Sequence, residues 1–99
     1  MPSIFLKEVS IAHFAAWFRR EDYQRIRQIM DDGDQYPPDF DAWEERAKGQ
    51  VEEAERHGLI IKPVPLDPDE FLAFCEAEKM SPNGKARAKF AVSRGTQEN

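Results

Sequence analysis

Residues 40–57 read FDAWEERAKGQVEEAERH and carry the most regular pattern in the chain. Apolar side chains recur there at spacings of three and four, which places them on one side of a helix. They are Phe40, Trp43, Ala47, Val51 and Ala54. Two prolines precede the segment and Gly58 follows it, and both residue types interrupt helices. The sequence therefore predicts a helix from about Phe40 to His57, with Asp41 and Glu44 as a capping box.

The segment that follows predicts a strand and two shorter helices. Residues 59–66, LIIKPVPL, contain two prolines, which favours a short edge strand because proline cannot donate to a ladder. Asp67 and Pro68 then supply an N-cap and a first helical residue. That helix places Phe71, Phe74 and Cys75 on one stripe. A last helix after Pro82 carries Ala86 and Phe90, and residues 95–99 are expected to form a disordered tail.

The first third of the chain fits two structures. Ser10 to Phe18 is compatible with a helix, but Asp22 would interrupt the apolar stripe if that helix ran on to Met30. We therefore favour a strand at residues 13–18 and a helix at residues 21–30, with Tyr23, Ile26 and Met30 facing inward. Residues 18–26 also resemble residues 66–74 at a constant offset, which suggests a strand–helix–helix unit that occurs twice.

Length and composition bound the fold class. The chain has 99 residues and a net charge of −5, with 40% apolar residues, which is typical of one small globular domain. We predict a single α+β, helix-rich domain over residues 1–94, with three to four short helices and two short strands around one small core. An all-α fold is the alternative. The start lacks a basic region followed by a long apolar stretch, and no apolar run could span a bilayer, so we expect a cytoplasmic protein without membrane contact.

No pattern in the sequence indicates catalysis, a cofactor or a metal. The acidic loop at residues 31–34 lacks the ligand spacing of a calcium-binding EF-hand. His13 and His57 have no second ligand at helical spacing, and Cys75 alone cannot complete a zinc site. Cys75 shares a stripe with phenylalanines and is expected to be buried. We therefore predict no catalytic residue, no cofactor and no metal site, and enzymatic activity is not favoured.

One basic cluster and one apolar cluster remain as candidate contact sites. The last helix offers weak candidates for phosphate contacts at Lys85, Arg87, Lys89 and Arg94. The acidic net charge argues against a nucleic-acid partner, because phosphate-binding proteins are usually basic.

The apolar cluster lies in the first third of the chain. It predicts an interface at Phe5, Phe14, Trp17 and Phe18, for a homodimer or for another protein partner. The expected function is a non-catalytic protein-interaction or accessory protein. A nucleic-acid-associated regulator that uses the last helix is the second hypothesis, and a small enzyme without a recognisable site is the third.

Overall fold

The computed structural model describes residues 12–97. In chain order the elements are β1 (Ala12–Trp17), α1 (Tyr23–Ile29), α2 (Phe40–Arg56), β2 (Ile60–Pro65), α3 (Pro68–Glu78) and α4 (Gly84–Gln97). Short 3-10 turns at Arg20–Asp22 and Gly33–Gln35 flank α1. The order strand–helix–helix therefore occurs twice, as the internal sequence match suggested.

The two strands form one parallel sheet. Ala12 lies opposite Ile60 and Trp17 lies opposite Pro65. This pairing has the same residue offset as the sequence match between the two halves. A parallel pair needs a long crossover, and α1 with α2 supplies it. The predicted α+β, helix-rich class is confirmed, and the all-α alternative is wrong because residues 12–17 are extended.

Two helix starts show how the sequence sets local structure. Asp39 caps α2 by accepting a hydrogen bond from the N–H of Ala42 at 2.9 Å, so the capping box predicted with Asp41 is wrong. Asp41 instead lies in the first turn and binds Arg20. Asp67 caps α3 as predicted, accepting from the N–H of Glu70 at 2.9 Å.

Aromatic rings hold the strands against the helices. Trp43 of α2 is buried, and Phe18 stacks on it at a centroid distance of 4.7 Å. Trp17 meets the same indole edge-on at 5.2 Å. The core continues into the second half of the chain, where Phe71 and Phe90 pack at 5.6 Å. Burial of such large rings contributes most of the favourable free energy of folding in a chain of this size.

The last helix is longer than predicted. Residues 95–97 were expected to belong to a disordered tail, but they continue α4 as far as Gln97. Gly95 is buried, and the ring of Phe14 occupies the space that a β-carbon at residue 95 would need. The end of α4 is thus held against β1 by a contact that only glycine permits. Sequence reasoning missed it because glycine near a chain end usually indicates the end of a helix.

We predict opposite effects for two helical glycines. Gly49→Ala should raise the free energy of unfolding by up to about 1 kcal/mol, because nothing lies within 4 Å of the new methyl group. Gly95→Ala should lower it by about 1–3 kcal/mol, because the methyl group collides with Phe14. Urea denaturation of both variants measures the difference. Equal stabilisation by the two substitutions would show that Phe14 does not pack on α4.

Candidate functional site

A groove of about 380 Å³ runs along β1. It is lined by the stretch Phe14–Trp17 of β1 and by residues of α2 and α4. From α2 the lining residues are Trp43, Arg46, Ala47, Gln50 and Val51. From α4 they are Arg87 and Ala88, and the remaining lining residues are Phe18, Tyr36 and Ile61. The lining is mainly apolar, which is typical of binding sites.

The groove lies beside β1, and one edge of this strand faces away from β2. Successive side chains of a strand point to opposite faces of a sheet. Trp17 contacts Trp43 of α2, whereas Phe14 packs against Gly95 of α4, so the two helices cover opposite faces. The cavity touches four consecutive residues of β1, both helices and Ile61 of β2. Among residues 12–97 the sheet has only two strands, so none of these residues adds a third strand at the far edge of β1.

A charged cluster closes one end of the groove. Arg87 donates two hydrogen bonds of 2.8 Å to the carboxylate of Asp32, and both side chains are largely buried. The hydrogen bonds from Arg87 hold the pKa of Asp32 below its usual value. The ring of Tyr36 lies beside Arg87 and Arg46, with the guanidinium carbons 5.1 Å and 5.7 Å from its centre. Burial raises the pKa of Tyr36.

The predicted interface residues have different environments. Phe14 and Trp17 are partly buried and line the groove. Phe18 also lines the groove, but it is only 3% exposed and belongs to the core, so it offers little surface to a partner. The strand ends at Trp17, and the chain then turns Phe18 onto Trp43. Phe5 lies outside the described residues.

Three of the four residues in the predicted basic cluster are paired with carboxylates. Arg87 is bound to Asp32, Lys89 to Glu78 at 2.7 Å, and Arg94 to Glu70 at 3.0 Å. Of the four predicted phosphate contacts, only Lys85 has no carboxylate within salt-bridge distance among residues 12–97. Contacts between helices, which the sequence does not show, placed these carboxylates beside the last helix.

Sequence reasoning missed the other groove residues. Arg46 and Gln50 lie on the charged side of α2, where a solvent-facing role is the usual interpretation. Tyr36 follows the acidic loop and carries no motif. The available signal was indirect. The prolines of β2 limit that strand to one neighbour, and β1 takes this place, so the far edge of β1 has no partner strand among residues 12–97.

The chain matches no protein-family model, no curated protein and no solved structure. In the part of the chain that the structure covers, no helix is long and apolar enough to cross a membrane. The same part holds no group of three or more His, Cys, Asp or Glu side chains placed to bind a metal ion. The groove is the feature of the fold that most constrains function.

We predict that the pair between Asp32 and Arg87 stabilises the groove at neutral pH and loses its effect in acid. Asp32→Asn should lower the free energy of unfolding at pH 7 by about 1–3 kcal/mol, because a charged hydrogen-bonded pair is lost. The folded-state pKa of Asp32 is depressed. The stabilisation is therefore present above the unfolded value near 3.8 and is lost as the pH falls through the folded value.

Urea midpoints of the wild type and of Asp32→Asn, measured from pH 7 downward, give this dependence. Glu78→Gln is the matched control, because its pair with Lys89 is exposed and should contribute less than about 1 kcal/mol. A destabilisation of Asp32→Asn that is the same at every pH would contradict the prediction.

Cys75 is buried as predicted, and burial is the main reason that its thiol pKa is raised, with the charge of Asp31 adding to it. We predict that native protein reacts with a thiol reagent much more slowly than protein in denaturant, because both burial and the raised pKa suppress the thiolate. Absorbance at the reagent's product band follows both rates. Similar rates in the two states would show that Cys75 is accessible.

Proposed function

We propose that this protein is a non-catalytic protein-interaction or accessory protein, and that a partner chain docks in the groove along β1. The observation that carries the proposal is the strand edge itself. No strand from residues 12–97 pairs with β1 on the side away from β2, and the groove beside this strand has a mainly apolar lining. An extended chain added to such an edge gains main-chain hydrogen bonds, and the walls receive its side chains.

The chemistry of the lining supports binding rather than catalysis. Among the residues that the structure describes, its ionisable side chains are Tyr36, Arg46 and Arg87, and no carboxylate, imidazole or thiol lines it. Acid–base and nucleophilic catalysis use such groups. The guanidinium of Arg87 is already held by Asp32. The carboxylates bound to the last helix also weaken the case for a phosphate partner.

A variant that obstructs the groove tests the proposal. Ala88→Arg places a long side chain in the groove wall at an exposed helical position, where arginine costs little helix propensity. Ala77→Arg, at an exposed position of α3 outside the groove, is the matched control. Both variants should have a free energy of unfolding within about 0.5 kcal/mol of the wild-type value, measured by urea denaturation.

The readout is quantitative affinity capture from the native host with mass spectrometry. We expect at least one protein, including this chain itself, to be recovered with the wild type and with Ala77→Arg and to fall about tenfold or more with Ala88→Arg. Identical recovery with both arginine variants would contradict a docking role for the groove.

A further inference from the structure

The two edges of the sheet differ in the hydrogen bonds they can offer. The N–H of Leu66 donates to the C=O of Trp17 at 3.0 Å, which fixes the phase of the parallel ladder. Alternate residues of a parallel strand turn both their N–H and C=O toward the same neighbour. The backbone groups of His13, Ala15 and Trp17 therefore face β2, and those of Ala12, Phe14 and Ala16 face the opposite edge.

The outer edge of β2 is blocked by its prolines. In the same register, Ile60, Lys62 and Val64 face β1, so Ile61, Pro63 and Pro65 face outward. Proline has no N–H, and within β2 only Ile61 retains an outward donor. The outward positions of β1 contain no proline and no charged residue. Unprotected edges of this kind pair readily with another strand.

We propose that the strand that fills the groove is β1 of a second copy of this chain, paired antiparallel so that the two sheets become one. The inference rests on the proposed function and names the partner of that same groove. One twofold axis closes both open edges at once, and the outer edges of the resulting four-stranded sheet are the proline-containing β2 strands. Twofold symmetry requires identical edges to meet antiparallel.

The charges on the wall of α2 favour a second copy over another partner. Arg46, Gln50 and Glu53 are exposed and lie at spacings of four and three on one side of the helix, and the first two line the groove. Along the helix, the charge of this stripe is positive at Arg46, neutral at Gln50 and negative at Glu53. When two α2 helices meet antiparallel about an axis near Gln50, Arg46 lies opposite Glu53 of the partner subunit, and the pair occurs twice.

Within residues 12–97, the guanidinium of Arg46 lies over the ring of Tyr36 but forms no salt bridge. Glu53 contacts Arg56 and His57 only on the exposed surface. On α4, Val92 lies one turn beyond Ala88, which lines the groove, and is 50% exposed. It extends the apolar surface of α4 next to Ala88.

A charge exchange tests the pairing in the full-length chain. We expect the wild type to sediment as a species of twice 11.5 kDa at high concentration and to dissociate on dilution. R46E and E53R should each weaken association by about tenfold or more, because each places like charges opposite one another twice. The double variant R46E/E53R should recover association to within about threefold of the wild type.

Lys48→Glu is the matched control, since it changes the net charge by the same amount on a different side of α2. It should leave association unchanged. Amide hydrogen exchange by NMR supplies a second readout. The N–H groups of Phe14 and Ala16 should exchange more slowly as the protein concentration rises, because they become ladder donors only in the dimer.

Each outcome distinguishes this inference from the proposed function. A mass of 11.5 kDa at every concentration would overturn self-pairing, while a host protein lost only with Ala88→Arg would leave the proposed function intact. A dimer whose association is unchanged by R46E and E53R would overturn the twofold contact between α2 helices. A dimer that responds to the exchange without protecting Phe14 and Ala16 would overturn pairing through β1.

Discussion

The pairing of β2 with β1 is the constraint on which the rest of this structure depends. Pro63 and Pro65 cannot donate hydrogen bonds, so β2 tolerates a neighbour on one side only. β1 takes that side, and no strand from residues 12–97 pairs with its other edge. The groove lies beside β1, where residues of α2 and α4, which cover opposite faces of this narrow sheet, both line it.

Packing and electrostatics reinforce this arrangement. Trp17 and Phe18 anchor the end of β1 to Trp43, and Phe14 anchors its middle to α4 through Gly95. The pair between Asp32 and Arg87 joins the loop after α1 to the last helix and fixes the groove's charged end. The far edge of β1 therefore belongs to a strand that is anchored to α2 on one face and to α4 on the other. A rigid edge loses less conformational entropy on binding, which favours association.

Several features could be predicted from the sequence because they depend on neighbouring residues. The stripe of α2, the cap at Asp67, the left-handed stop at Gly58 and the burial of Cys75 follow from local spacing and backbone preference. The strand at the start was harder, since the same residues also fit a helix. Its assignment depended on Asp22 and on the match between the two halves.

The sequence by itself determined the element order, most of the core and the absence of proline and charge at the outward positions of β1. These features depend on periodicity, caps and the placement of prolines. Only the tertiary structure decided that Phe18 is core and that α4 continues past Arg94. It also paired Arg87, Lys89 and Arg94 of the last helix with carboxylates. It also brought Arg46, Tyr36 and Arg87 to one groove. The physical reason is distance along the chain: these contacts join residues from separate elements, and no local preference encodes which elements will meet.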